Sequence, residues 1–405
     1  MGLNLLAFGR NMLLLWLLML LSSLATNLIS PLWPIYIRSL GASMTELGFV
    51  FGLSNAVGAL LQVPSGLLSD RYGRRKLHAV GTLMAVFPPI LYTFARDWSE
   101  LIPWVLLSGA AIGLYAPLRF SIVADQTTAG QRAKAYSWVN VAFLIGPTIG
   151  PSLGGLIADL YGLEASFLTT AILLAAGFAL TLAIRETRGV SGASHLGSRG
   201  LSLWSRLASV PLLAVFAVNA IQGVAIGLFS PVTPIFVTTR FPVDLTFVGL
   251  LYAVGFGLSS LLGQLPGASL ADRWNRRSLI LMSILGSAPF FALFSSSGTL
   301  FELMLYMSLA NGILSLSWPA LQALTIDVTS PESWGFVNGL TASGFWAGMT
   351  VGSTLSGITW DTLGMNAAYY GSALAILGSA LPALLLTHGP AGRVARPSPG
   401  LPRLD

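Results

Sequence analysis

The chain has no cysteine, which excludes disulfides, thiolate nucleophiles and cysteine metal sites. Charge is scarce: 9% of the 405 residues are Asp, Glu, Lys or Arg, against 54% hydrophobic. A soluble globular domain carries about a quarter charged residues, so a soluble chain of this length is excluded. Only three histidines occur, His78, His195 and His388, each far from the others and none beside a mid-chain carboxylate. No metal site and no acid–base pair is expected from them. No glycine-rich loop ending in Lys-Ser or Lys-Thr is present, so direct use of ATP is not expected. No cofactor is expected.

What the chain does have is apolar length. Twelve stretches reach or approach the roughly 20 residues that cross a bilayer: about 11–37, 46–69, 77–95, 101–124, 134–158, 164–184, 209–238, 246–270, 279–296, 301–326, 333–360 and 366–387. The fold class predicted is an all-α integral membrane protein of twelve transmembrane helices. Frequent Gly and Pro predict several kinks, which membrane helices tolerate. The first stretch is read as a span and not as a cleaved signal peptide, because its loss would unpair the halves described next.

Basic residues are distributed unevenly. With a cytoplasmic N-terminus, 17 of the 21 Lys and Arg fall in cytoplasmic loops or tails, and the outer loops keep only Arg38, Arg96 and Arg240. This bias places both termini in the cytoplasm of a multi-pass plasma-membrane protein. No loop interleaves aromatic and basic residues, so the formal charge of +6 does not imply nucleic acid.

The chain is a repeat. Ser30-Pro31-Leu32-Trp33-Pro34 matches Ser230-Pro231-Val232-Thr233-Pro234 at an offset of 200. Gln62, Pro64, Asp70, Arg71, Arg74 and Arg75 match Gln264, Pro266, Asp272, Arg273, Arg276 and Arg277 at an offset of 202. The same offset pairs Pro117 with Pro319, Asp125 with Asp327, Gly146 with Gly348, Asp159 with Asp361 and Gly162 with Gly364. A single two-residue change in the loop after the first helix of each half would explain the shift. The predicted organisation is a six-helix bundle over 1–184, a cytoplasmic linker over 185–208, a second bundle over 209–388 and a cytoplasmic tail over 389–405.

Two motifs carry a family resemblance. Gly66-Leu67-Leu68-Ser69-Asp70-Arg71-Tyr72-Gly73-Arg74-Arg75-Lys76 is a short charged hinge between the second and third helices, repeated more weakly as Ala268–Ser278. Gly146-Pro147-Thr148-Ile149-Gly150-Pro151-Ser152-Leu153-Gly154-Gly155 lies on the fifth. Over its whole length the chain resembles the major facilitator superfamily, and the second motif resembles that of its exporters, drug:proton antiporters included. The resemblance implies two pseudo-symmetric six-helix bundles with helices 1, 4, 7 and 10 around a central cavity. It also implies gating by Asp70, Arg71, Gly73, Arg74 and Asp125, matched by Asp272, Arg276 and Asp327. Physically, Gly73 permits a tight turn at positive φ, and a carboxylate there can accept from a helix N-terminus across the seam. Gly146, Gly150 and Gly154, four residues apart, form one stripe that lets another helix approach. Pro147 and Pro151 each remove a backbone donor, and with Gly155 the set predicts a flexible, sealed contact along helices 5 and 8.

Every one of the 15 carboxylates falls at a membrane edge or beyond it. Proton-coupled carriers usually place one at mid-span. Val105 and Ser108 stand where the family's fourth-helix motif has Arg and Gln. Proton coupling, if present, is therefore expected at edge groups such as Asp70, Asp125 or Glu164. Arg119 is the one charge inside a span. It either contacts an anionic or carbonyl-bearing substrate or reaches the cytoplasmic layer. Asn27, Tyr115, Asn219, Gln222, Asn311, Trp318 and Gln322 are the other candidate substrate contacts, each alternatively an interhelical hydrogen bond. Uncharged hydrogen-bonding groups among aromatics suit a neutral or amphipathic organic substrate.

The function expected is alternating-access transport of small organic molecules, most similar to multidrug efflux. Uptake or facilitated diffusion of a sugar-like or anionic metabolite is the alternative, and a non-transporting receptor the remote one. No enzymatic activity is expected. The expected partners are substrate, the lipid bilayer and protons, with the chain a monomer.

Overall fold

A computed structural model describes residues 10–127, 129–185, 210–327 and 334–386. The predicted linker, apart from Arg185, and the predicted tail lie outside the described residues, as does the side chain of Asp70. All regular structure among the described residues is helical.

The first half comprises α1 (Arg10–Leu28) and α2 (Leu32–Ser39), α3 (Met44–Tyr72), α4 (Arg74–Tyr92), α5 (Ile102–Tyr115) and α6 (Leu118–Asp125), α7 (Ala129–Tyr161) and α8 (Leu163–Ala183). The second half has α9 (Val210–Phe229) and α10 (Thr233–Arg240), then α11 (Leu245–Tyr252), a π-helical turn (Ala253–Leu258) and α12 (Ser259–Arg273). It continues with α13 (Arg276–Leu293), α14 (Leu300–Ser315) and α15 (Ser317–Asp327), α16 (Trp334–Leu363), α17 (Ala367–Gly378) and α18 (Ala380–Leu384). Pieces separated by no more than three residues and lying in one predicted apolar stretch form one span each, so the described helices make twelve spans, as predicted.

Among the described residues nine helices are both long and apolar enough to cross a membrane on their own. The other three spans have local reasons to fall short. The third begins with Arg74-Arg75-Lys76 and contains Pro88-Pro89. The fourth is broken at Ala116-Pro117. The eleventh is rich in Gly, Ser and Thr.

The breaks are ordered. Spans 1, 4, 7 and 10 are each split into two helices, at 29–31, 116–117, 230–232 and 316. Pro31, Pro117 and Pro231 sit in the first three breaks, and Pro319 lies three residues past the fourth. Proline removes a ladder hydrogen bond and bends the helix. The four spans that the resemblance places around a central cavity are thus all interrupted, as are the twelfth, at Ser379, and the eighth, by its π turn.

Helix starts follow capping chemistry. Ser43 and Glu46 form a capping box at α3, with Ser43 N–H donating to Glu46 at 2.7 Å. Asp244 caps α11 and Thr299 caps α14. The two charged hinges turn differently. Gly73 adopts φ 99°, whereas Asn275 keeps φ −64° and accepts from the Arg277 N–H at 3.0 Å. A side-chain cap thus replaces the glycine turn in the second half.

Each half carries an aromatic cluster in its core. Tyr36, Tyr92 and Phe167 pack edge to face, with Tyr36 Oη donating to the Tyr92 carbonyl at 2.6 Å. Their counterparts Phe236, Phe294 and Tyr369 also pack together, Phe236 on Tyr369 edge to face and Phe294 tilted against both. Phe229 and Phe291 enlarge the second cluster.

The structure corrects the predicted single two-residue shift. Ser43 and Asp244 are equivalent N-caps at an offset of 201, and Gly48 and Gly249 occupy equivalent seam positions at the same offset. The offset of 202 is reached only after the π turn, which α3 lacks. A π turn is one extra residue inserted into an α-helix. One residue therefore enters in the loop and one inside the eighth span.

Candidate functional site

The halves meet chiefly through two helix pairs, α3 on α16 and α7 on α11 with the π turn, with a smaller contact of α2 on α10. Backbones approach closely there. A Cβ at Gly48 would lie 2.5 Å from the Ser353 carbonyl oxygen, and one at Gly249 2.2 Å from that of Pro151. At Gly257 it would lie 2.1 Å from the Pro147 carbonyl oxygen. That oxygen has no helical donor, because the residue four positions on is Pro151. Beyond the π turn, α12 leaves α7 and packs on α14 and α15. Leu60, Leu262 and Leu265 are exposed. Among the described residues, the close backbone approaches between the halves lie toward the end away from the arginine hinges, here the sealed end, the other being the arginine end.

The glycine stripe has a different partner from the one expected. Gly146, Gly150 and Gly154 face Ser23, Asn27 and Leu28 of α1, inside the first half. Contact with the eighth span is made by Pro147, Pro151 and Gly155, one residue round the helix. An α-helix turns about 100° per residue, so adjacent stripes serve different neighbours. The second half repeats the scheme: Gly348 and Gly352 back onto Ala220 and Val224 of α9, while Gly357 meets Met44 of α3.

At the arginine end the expected gating groups form pairs within each half. Arg74 donates to Asp125 at 2.5 Å and to the Ser121 carbonyl at 2.8 Å. Arg276 pairs with Asp327. Arg71 stands 5.5 Å over the Tyr72 ring, and Asp272 is exposed. Arg75, outside the predicted set, donates to the Leu182 carbonyl at 2.5 Å at the end of α8, where a cation suits the helix dipole.

Of the substrate candidates, Tyr115 and Arg119 come together. With Met19, Ser22, Ser23, Thr26 and Phe143 they line a cavity of about 30 Å³. Asn27 reaches the same group by donating to the Ser23 carbonyl at 2.8 Å. The Arg119 guanidinium lies 4.6 Å over the Phe143 ring, a cation–π contact. His78, expected at a helix start, is buried against Tyr115, their rings 5.9 Å apart, with Thr181 Oγ1 3.4 Å from its Nδ1. Such a cavity suits a water; a drug-sized ligand needs about 300 Å³ or more. A hollow of about 330 Å³ between α13 and α17 is lined by Ala288, Pro289, Tyr370 and Leu374 among others, with the Tyr370 phenol as its one polar lining side chain.

The second-half candidates are arranged differently. Asn219 and Asn311 donate to carbonyls four residues back, Val215 at 2.9 Å and Met307 at 2.9 Å. Gln222 is buried and its amide nitrogen has no hydrogen-bond partner among the described residues. Trp318 is half-buried and Gln322 exposed.

This arrangement sets an expected labelling pattern for single Cys substitutions in the naturally Cys-free chain. Positions 219, 318 and 322 should react with a polar thiol reagent, and position 222 several-fold more slowly. Leu212 is buried and unsuitable as a lipid-facing control; exposed Leu305 and Leu374 should stay inert. Equal reactivity at all six positions would show that no aqueous crevice distinguishes them.

Comparisons with known proteins agree with this architecture. The sequence model described as the Major Facilitator Superfamily matches twice, over residues 15–224 and 215–403. The tetracycline resistance protein, class B, of Escherichia coli is 27% identical over 339 residues, covering 80% of this chain and 82% of its own. The multidrug resistance protein MdtG of Rahnella sp. is 26% identical, covering 92% of each chain. Among solved structures, a bacterial homolog of the human lysosomal transporter Spinster, inward-facing and unoccupied, superposes with a TM-score of 0.74 at 15% identity, over 95% of this chain and 96% of that one. The nucleoside transporter NupG superposes with a TM-score of 0.72 at 14% identity, over 93% and 98%. With both halves matching the family model, the twelve spans and the paired seams are those of a transporter, and the chain belongs to the major facilitator superfamily.

Proposed function

We propose that this protein exports small, largely neutral amphipathic organic molecules by rocking its two halves about a central crevice. The observation that carries the reading is the seam: held by close backbone approaches at the end away from the arginine hinges, and flanked by four interrupted spans whose named polar groups are uncharged except Arg119. Relatives named for tetracycline and multidrug resistance support export. The positive-inside bias makes the arginine end cytoplasmic, so the crevice of this state opens inward from the plasma membrane, with both termini inside. Asp70, Arg74 and Asp125, with Asp272, Arg276 and Asp327, are proposed to steady the opposite, outward-open state. The carboxylates at the membrane edges supply whatever proton coupling exists. A single chain contains the whole crevice, which fits a monomer.

Arg119 favours one second reading, transport of an organic anion or sugar-like metabolite. Flux into proteoliposomes, with a panel of lipophilic dyes, sugars and organic anions and with or without a pH gradient, separates the two. Export predicts saturable movement of the dyes and only a modest response to the gradient. Movement of sugars or anions alone would overturn it. In the same assay Arg119→Ala should weaken a neutral substrate less than about threefold. An anionic one should weaken by about 10- to 100-fold, the loss of one charge-assisted hydrogen bond.

A further inference from the structure

The sealed end holds a pair of contacts that no residue of the charged hinges makes. Asp159, near the end of α7, accepts from the N–H groups of Leu245 at 3.1 Å and Thr246 at 2.7 Å, and from the Thr246 hydroxyl at 2.6 Å. These donors open the eighth span, in the other half. Asp361, near the end of α16, accepts from the N–H and the hydroxyl of Thr45, both at 2.8 Å. Those open the second span, again in the other half. Each carboxylate therefore caps a helix across the seam, where the helix dipole also favours a negative charge.

The surroundings are repeated as well. Gly155 and Gly357 lie one turn before the aspartates. A Cβ there would stand 2.2 Å from the Leu245 carbonyl oxygen and 1.8 Å from that of Met44. Only glycine lets the helix ends come close enough for the carboxylates to reach. Gly162 and Gly364, three residues after each aspartate, turn the chain away at φ 92° and 94°. The sequence unit at both positions is Gly-x-x-x-Asp-x-x-Gly, which occurs once more at the charged hinge Gly66–Gly73.

We propose that Asp159 and Asp361 are a two-fold pair of inter-half latches whose release admits the crevice to the sealed end. Each bridges the halves in opposite sense, so opening that end breaks both. Water replaces the cap once the helix start is exposed, and the contact is specific to the closed state. A group that binds one state only shifts the balance by its full differential worth.

The proposal rests on alternating access but needs no substrate to test. Spin labels on Phe94→Cys, in the loop after α4, and Phe301→Cys, in the first turn of α14, exposed positions at the sealed end of opposite halves, report its opening by electron–electron distance in lipid nanodiscs. Asp159→Ala and Asp361→Ala should each raise the open-to-closed ratio about five- to tenfold, and the double variant about 25- to 100-fold. Labels at Tyr72 and Trp274, exposed on the arginine hinges, should draw together in the same variants. Thr45→Val and Thr246→Val remove only a hydroxyl and should shift the ratio about two- to threefold, which keeps the test available if an alanine variant fails to fold. Asp97→Ala is the control, because Asp97 caps Ser99 within its own half at 2.9 Å and should move nothing. Unchanged distances in the folded double variant, or an equal shift with Asp97→Ala, would overturn the latch. A clear shift in a protein that moves no dye would count against export and leave the latch standing.

Discussion

Gly257→Val is expected to abolish transport, by about 100-fold or more, while leaving the protein foldable. The Cβ it adds would sit 2.1 Å from the Pro147 carbonyl oxygen and 2.4 Å from its carbon, both backbone atoms that cannot rotate away. Overpacking of this kind costs about 1–3 kcal/mol, more when nothing can relax. Gly257 faces the other half, so parting the halves relieves the clash. The cost therefore falls on one conformer of the cycle, and about 3 kcal/mol is enough to depopulate it by more than 100-fold. Gly154→Val is the contrast. Its Cβ would lie 1.8 Å from the Leu28 carbonyl oxygen inside the first half, a contact present in any arrangement of the halves. It should lower the thermal midpoint and the yield. Dye flux and thermal unfolding of both purified variants check the pair. Transport at the original rate by Gly257→Val would show that the seam does not close this tightly in membranes.

The two arginine–aspartate pairs should differ sharply although their sequences match. The side chains of Arg74 and Asp125 are 19% and 10% exposed, those of Arg276 and Asp327 22% and 43%. Removing one partner of a buried pair costs about 3–5 kcal/mol, because the other charge stays in a poor solvent. Surface pairs are worth about 0–1 kcal/mol. Asp125→Asn should therefore destabilise by roughly 3 kcal/mol and cut transport by more than tenfold. Asp327→Asn should change stability by less than about 1 kcal/mol, discounted for solvent. Unfolding midpoints of the two variants in one detergent decide it, and equal losses would show that burial is not the controlling difference.

Much of the architecture is legible in the sequence because membrane physics is coarse. Span length, loop charge and the repeat each give an independent reading, and Pro31, Pro117 and Pro231 mark breaks where they stand. The partner of each stripe is not legible. Gly146, Gly150 and Gly154 and their neighbours Pro147, Pro151 and Gly155 are both visible in the sequence. Which faces α1 and which faces α11 depends on a rotation that no local pattern encodes. Asp159 and Asp361 are visible as a matched pair, but the helix starts they cap lie 86 and 316 residues away. Asn219 and Asn311 read as interhelical or substrate groups, yet each bonds its own helix, an option open to any Asn four residues past a free lone pair.

The π turn has a consequence for how the eighth span divides its labour. Before it, Gly249 is in phase with Gly48, both lying against the opposite half. After it, Ser260 and Gly263 meet Ser315 and Gly312, just as Gly58 and Leu61 meet Gly113 in the first half. One extra residue, wound into a wider turn, lets the two ends of a single helix keep separate phases. It acts as a coupling between two shafts that need not turn together. Deleting one residue at Val254 would lock the phases again and force the helix to fit either the seam or the tenth span.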